Sequence, residues 1–252
     1  MRKLLFLLLP AIAVYAVLSC SADDGMPCYS CGDPYPLPYI PRQNYTGGSC
    51  DVDDYGSVEI GSQVWMAKNW GCYVPDSRCY CYNNDPANCE KYGCLYDWAA
   101  AMGIDERYNF EEWGGSDVNH KGICPSGWHI PSNNEWNVLI NFVERDRGCR
   151  DCAGKYLKAT SGWNDYEGKS GNGENTYGFA ALPAGYTAAK PAGNPFWSIG
   201  NSGSWWSATE NNDFCRYVAY RKTMHYNDEF VSMDDYCRGD KFVSISVRCV
   251  KD

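Results

Sequence analysis

An α+β domain is what this sequence predicts, from one strongly patterned helix, a series of strand-like runs after it, and long glycine-rich loops between those runs. The helix begins at Ser132, which with Glu135 makes a capping box that satisfies two otherwise unpaired backbone N–H groups. Trp136, Leu139, Ile140 and Val143 recur at the spacing of one helical face, and Gly148 marks the end. A shorter helix is predicted over residues 95–102, where Ala99, Ala100 and Ala101 follow one another. Earlier still, residues 58–65 read as two short strands about Gly61-Ser62, glycine supplying the positive φ of a two-residue turn. Residues up to Cys94 then read as turns braced by cysteine. After the long helix, residues 179–182, 205–209, 217–221 and 242–250 read as strands; in the last, Val243, Ile245, Val247 and Cys249 alternate with polar residues.

The first residues set the compartment. Arg2 and Lys3 precede an apolar stretch from Leu4 to Leu18 that is too short for a comfortable membrane span and reads as a signal peptide, residues 1–19. Val17-Leu18-Ser19-Cys20 resembles the lipobox of bacterial lipoproteins, which implies that Cys20 is lipidated and that the protein sits on the outer membrane, surface-exposed or otherwise facing the periplasm. Residues 20–50 read as a tether: Ser21-Ala22-Asp23-Asp24-Gly25 is small and acidic, and Pro27, Pro34, Pro36, Pro38 and Pro41 forbid a regular helix or central strand. That acidic patch resembles a surface-export signal, though a solvated linker carries the same charges. The domain proper spans 51–252.

Export lets thiols pair. The chain has 15 cysteines, and an even number remains once Cys20 is set aside. Cys28-x-x-Cys31 and Cys149-x-x-Cys152 also have zinc-ligand spacing, but an exported chain favours disulfides over metal, and neither pair opens a helix as a thioredoxin motif would. The formal net charge is −9 and becomes more negative once Arg2 and Lys3 leave with the leader, which excludes a phosphate-binding, nucleic-acid partner. Twenty tyrosines and 10 tryptophans against 8 phenylalanines favour surfaces that both stack and hydrogen-bond.

Several long runs resemble one family. Residues 60–69 (IGSQVWMAKN), 89–102 (CEKYGCLYDWAAAM) and 123–131 (ICPSGWHIP) with Glu135-Trp136 look like the Fibrobacter succinogenes major paralogous domain. Residues 157–163 (LKATSGW), 178–186 (GFAALPAGY), 205–210 (WWSATE) and 246–250 (SVRCV) continue the likeness in order, so it covers roughly 51 to 251. That family is similar to the C-type-lectin-like superfamily. The resemblance implies two main helices, a twisted antiparallel sheet, long loops and several disulfides, but no activity. It also implies a Cys124–Cys249 bridge stapling the last strand to the helical side. Proximity in sequence adds Cys81–Cys89, Cys149–Cys152 and Cys215–Cys237. The chain departs from the family pattern at Cys94, Trp70-Gly71-Cys72 and Cys79, which implies additional bridges.

No catalytic constellation is legible. His120, His129 and His225 show neither zincin spacing nor a nucleophilic triad, and His129 reads as structural, bonded to backbone in its turn. The Gly-Trp-His-x-Pro…Glu-Trp segment resembles one in formylglycine-generating enzymes. That activity requires a copper-binding thiol pair in an open cleft, whereas these cysteines are better explained as bridges. Trp163-Asn164-Asp165 matches a calcium-lectin triplet in letters but lacks its companion motif. Asn211, Asn212, Asp213, Asp228, Glu229, Asp234 and Asp235 could offer calcium some oxygens, but read better as solvated loop charge, so no cofactor is expected. The functional candidates are aromatic: Tyr177, Tyr186, Trp197, Trp205 and Trp206, set among Gly-Asn-Ser loops, with at least one of the adjacent tryptophans in the core. They predict a non-catalytic surface module for carbohydrate or another cell-surface ligand. The alternative is a structural component that packs on other proteins; an enzyme is a distant third.

Overall fold

The computed structural model describes residues 48–72, 79–188, 195–211, 218–233 and 240–252. The leader, Cys20, the tether through residue 47, Cys28, Cys31 and the Cys215–Cys237 pair lie outside the described residues.

The predicted hairpin forms as β1 (Ser57–Ile60) and β2 (Gln63–Met66), with Ile60 opposite Gln63. Gly61 sits between them at φ +64°, and a Cβ there would lie 2.8 Å from the Phe142 ring. There follow β3 (Cys79–Tyr80), α1 (Pro86–Tyr92), β4 (Leu95–Tyr96), α2 (Trp98–Met102), β5 (Trp128–His129), α3 (Asn133–Arg147) and α4 (Ala153–Leu157). The rest is strand and loop: β6 (Tyr186–Thr187), β7 (Phe196–Trp197), β8 (Ser202–Glu210), β9 (Ala219–His225), β10 (Ser232–Met233), β11 (Ile245–Ser246) and β12 (Val250–Lys251).

The α+β reading holds, with corrections to its parts. Among the described residues there is one long helix of 15 residues, not two main helices; α1, α2 and α4 have 7, 5 and 5. Leu95 and Tyr96 are strand, because Leu95 pairs with Tyr80 and Ser246 and Tyr96 with Cys79 and Ile245. The helix starts only at Trp98, capped by Asp97 Oδ1, which accepts from Ala100 N at 2.9 Å. α1 lies within the stretch read as turns; Asp85 caps it and Pro86 fills its first position. The run at 179–182 is not a strand. Ala180 takes φ +50°, its N–H donates to Asn175 Oδ1 at 2.6 Å, and only Ala181 makes an isolated bridge, with Lys158.

The strands form a four-stranded sheet (β1-β2-β12-β5), a six-stranded sheet (β10-β9-β8-β11-β4-β3) and a β6-β7 pair. Strands from before and after α3 therefore share sheets, and β11 runs parallel to β8, so helices and sheet are not segregated along the chain. The last strand-like run is β11 and β12 with irregular backbone between. Both faces of it are buried: Ser244, Ser246 and Arg248 are as enclosed as Val243, Ile245 and Val247.

α3 carries out its sequence signature: the capping box is complete, Gly148 ends it at φ +65°, and Trp136, Leu139 and Val143 are buried. Those side chains join Trp65, Phe179 and Trp205 in the main core, where Trp65 and Trp136 lie 4.7 Å apart and Trp136 lies 6.4 Å from Trp205. Disulfides close the frame: Cys124–Cys249, Cys81–Cys89 and Cys149–Cys152 are present, with Cys50–Cys72 and Cys79–Cys94 besides. Cys50, at the end of the predicted tether, is thus tied to the domain. The Cys124–Cys249 bridge closes 125 residues and contributes about 4–5 kcal/mol in the chain-entropy account.

Beside this core Arg248 is fully buried, and its partners among the described residues are all carbonyl oxygens. Its Nε and Nη2 donate to Asn69 Oδ1 at 3.0 and 2.7 Å, and Nη1 donates to Met66 O at 2.9 Å and Phe179 O at 2.6 Å. Burial pulls the guanidinium down to about 9. Asn69 Oδ1 also accepts from Trp205 Nε1 at 2.8 Å, while its amide donates to Tyr92 O at 2.8 Å. Asn69→Ala should therefore destabilise the domain by about 3–5 kcal/mol, because it strands a buried cation and an indole N–H together. Urea denaturation of the two proteins checks it; a loss below about 1 kcal/mol would mean that the network is not holding the cation.

Candidate functional site

The loops after α4 and around β7 to β9 build an exposed face of aromatic and amide groups. Trp163 is its buried root. The indole Nε1 donates to Ala181 O at 3.0 Å, and the main-chain N–H donates to Asn172 Oδ1 at 3.0 Å. From that root the chain turns outward: Asn164 N donates to Gly200 O at 2.8 Å, and Asn164 Nδ2 to Asn201 Oδ1 at 2.8 Å. Tyr166 and Lys169 close a tight turn by exchanging N–H to O bonds of 2.8 and 2.9 Å. Tyr166, 40% exposed, meets Tyr226 edge-on, ring centroids 5.5 Å apart and planes at 86°. Tyr226 N in turn donates to Asn201 O at 2.9 Å. Two amide side chains, exposed at Asn164 and half-buried at Asn201, and two rings are thereby fixed on one face by backbone and amide bonds.

A buried cation braces this face from beneath. Lys158 Nζ donates to His225 O at 3.0 Å and Asp228 O at 2.8 Å, and lies 5.1 Å from the Trp163 ring. Burial lowers the ammonium pKa, against the pull of Asp228 and Glu229. Burial raises the Asp228 pKa. Asn212, Asp213, Asp234 and Asp235 lie outside the described residues.

The five aromatic candidates separate. Trp205 and Trp206 are both fully buried, a correction to their place among ligand-binding candidates: α3 and α2 both pack on β8, and every residue from Ser202 to Ala208 is buried, so neither face of it is open. Trp205 bonds Asn69, and Trp206 Nε1 donates to Tyr96 O at 2.7 Å. Tyr186 is only 8% exposed, which makes it part of the frame. Tyr177 is half-buried beside α3, where its hydroxyl donates to Asp146 Oδ2 at 2.5 Å and accepts from Arg147 Nε at 2.9 Å. The Arg147 guanidinium lies 5.3 Å from its ring centroid and Phe142 meets it edge-on, so its ring is already engaged. Trp197 stays half-buried on β7, opposite Tyr186 and four residues before Asn201. Tyr166 and Tyr226 were missed by the sequence reading; the only local signal was a tyrosine within an Asn-Asp-Tyr-Glu-Gly turn, and their pairing is tertiary.

The densest acid–base cluster lies elsewhere. His129 is buried on β5 with Nδ1 2.8 Å from Asp252 Oδ1 and Nε2 2.8 Å from Glu135 Oε1. It is held by carboxylates, not by backbone as expected. Ser132 Oγ donates to Glu135 Oε2 at 2.8 Å while accepting from Glu135 N, so its hydroxyl serves the helix cap and not the imidazole. Burial disfavours the imidazolium, but the hydrogen bonds of Glu135 and Asp252 outweigh it and hold the pKa above 6.5. Burial also works against the Glu135 carboxylate, and the bonds from His129 and Ser132 hold its pKa below 4.5.

Residues 58–251 match the Fibrobacter succinogenes major domain. The chain belongs to that family. No curated protein and no solved structure matches it. Among the described residues, no helix is long and apolar enough to cross a membrane. The departures from the family pattern at Cys72, Cys79 and Cys94 now have partners: Cys50, Cys94 and Cys79.

Stability should follow the two shifts around His129. Its raised pKa contributes fully below 6.5 and is lost as pH climbs through the folded value; the depressed Glu135 pKa contributes above 4.5 and is lost as pH falls through it. The difference in thermal midpoint between wild type and His129→Gln should therefore be largest below 6.5 and shrink as pH climbs above it, whereas the Asp240 carboxyl, pushed up to about 6 by burial, lowers both proteins alike across the window between 4.5 and 6.5. A difference that does not shrink above 6.5 would assign the effect to another group.

Proposed function

We propose that this member of the Fibrobacter succinogenes major domain family is a surface-anchored, non-catalytic binding module for carbohydrate or another cell-surface ligand. The observation that supports it is the fixed face of Tyr166, Tyr226, Asn164 and Asn201, with Trp197 on the strand leading into it. Flat aromatic faces stack on the apolar faces of sugar rings, and amide side chains meet hydroxyls as donors and acceptors alike. Because backbone bonds already order the loops, binding costs little conformational entropy. A C-type-lectin-like fold underlies this reading; the Cys124–Cys249 staple between the last strand and the segment before α3 is consistent with it. Anchoring through a lipidated Cys20 completes the proposal, and mass spectrometry of the mature N-terminus tests that part: an acylated Cys20 is expected, and an unmodified N-terminus beyond it would overturn the anchor.

Assembly with other proteins is the second reading. It is favoured by Phe110, 45% exposed and stacked on Phe242 at 6.1 Å.

Sedimentation of the protein with insoluble polysaccharides at moderate salt separates the two. Wild type should co-sediment, and Tyr166→Ala and Trp197→Ala should each weaken binding by more than about 1 kcal/mol, roughly fivefold, with the unfolding midpoint nearly unchanged. Trp205→Ala and Trp206→Ala should instead cost about 3–5 kcal/mol of stability. Concentration-dependent self-association without polysaccharide binding would move the assignment to assembly.

A further inference from the structure

Four cysteines converge at the junction of β3, α1 and β4. Cys79 and Cys81 lie two residues apart on extended chain, which points both side chains to one side. Cys89 comes from α1, and Cys94 follows the Gly93 turn, where Gly93 takes φ +78° and a Cβ would lie 2.7 Å from Asn69 Cβ and 2.9 Å from Trp70 O. Backbone packing at Gly93 therefore fixes where Cys94 enters the cluster. Cys79 pairs with Cys94 and Cys81 with Cys89, yet Cys89 Sγ and Cys94 Sγ of the two different bridges are only 3.4 Å apart. Cys79, Cys89 and Cys94 have all their sulfurs within 4.8 Å of one another, and all three are buried. The fourth, Cys81, is fully enclosed and bonded to Cys89.

We propose that Cys79, Cys81, Cys89 and Cys94 form a closed tetrathiolate site for zinc whenever their two bridges are in the thiol form. Zinc takes four thiolates tetrahedrally at about 2.3 Å, which sets sulfur–sulfur edges at about 3.8 Å. Three of the sulfurs, those of Cys79, Cys89 and Cys94, already lie within 4.8 Å of one another, and Cys81 would join them from beside its bridge partner Cys89. Each bridge opens by taking two electrons from a reductant and two protons from solvent; with a phosphine, one water supplies both protons and the oxygen with which the phosphine leaves as its oxide, and two thiols remain. The four thiols then bind the ion as thiolates and release four protons. Burial excludes water from a fifth position, which makes this a structural site that preserves the β3–β4 junction in either redox state. The Cys149–Cys152 pair, despite its ligand spacing, brings no further ligand side chain with it among the described residues.

The full chain is reduced anaerobically with a phosphine, given zinc, freed of excess metal, and mapped by cysteine alkylation and metal analysis. A single retained zinc per chain is expected, with alkylation of Cys79, Cys81, Cys89 and Cys94 suppressed relative to the same reduced chain without zinc, and alkylation of the other cysteines, the equally buried Cys124 and Cys249 among them, unchanged by the metal. Cobalt in place of zinc should show the charge-transfer bands of a tetrahedral thiolate site. The paired variant C79S/C94S, which keeps Cys81 and Cys89, should lose the ion, and C149S/C152S should keep it. Failure of the reduced wild type to retain zinc overturns the proposal, as does protection falling on Cys28 and Cys31 or on Cys149 and Cys152. The wild-type map decides the matter even if a variant does not fold.

Discussion

The buried guanidinium of Arg248 is the constraint on which the rest of the domain depends. It joins the C-terminal run to the end of the first hairpin at Met66 and to the loop at Phe179, 182 and 69 residues away in sequence. A buried cation is costly unless its donors are satisfied, and here carbonyl dipoles and the Phe179 face, 4.4 Å away, satisfy it without a carboxylate. Its neighbours reinforce the seam: Met66 N donates to Cys249 O at 3.1 Å and Trp70 N to Val247 O at 2.8 Å. Cys249 then bridges to Cys124. One unpaired charge thus forces the two ends of the domain into a single register.

Of the other buried cations among the described residues, Lys241 and Lys158 are handled differently from one another, and the difference tracks what each supports. Lys241 pairs with Glu210 at 2.6 Å, packs 4.6 Å from the Trp98 ring, and bonds Glu111 O at 2.8 Å, tying β8 to the loop before β5. Glu210 also accepts from Trp113 N and Gly114 N, both at 2.9 Å, so that carboxylate is fully used. Lys158 instead donates to carbonyl oxygens of the 225–228 turn, which fixes the backbone that presents Tyr226. The aromatic face is therefore coupled to the core through a charge and not only through packing.

That coupling bears on function. A face whose rings and amides are positioned by main-chain bonds, a buried tryptophan root and an ammonium brace is preorganised, and preorganisation lowers the ordering cost for any weakly bound ligand. The chemistry near His129 points the other way: both ring nitrogens and the neighbouring hydroxyl are committed to partners that secure β5, α3 and the C-terminal strand.

Sequence alone determined the elements whose signals are local. Ser132, Glu135 and Gly148 bound α3, Gly61 makes its turn, and the family motifs identify the domain, because caps, turns and helical periodicity act over a few residues. Other features were decided only by tertiary structure. Leu95 and Tyr96 became strand because partners at 79–80 and 245–246 were waiting for them, overriding the helix-forming alanines that follow. Trp205 and Trp206 were both drawn inside because the sheet they lie in is covered on both faces, which no alternation pattern can show. Tyr166 and Tyr226, 60 residues apart, became neighbours only when Lys158 and Asn201 fixed their loops. The physical reason is the same in each case: burial and hydrogen bonding between distant segments outweigh local preference wherever a side chain can be satisfied only by a partner far along the chain.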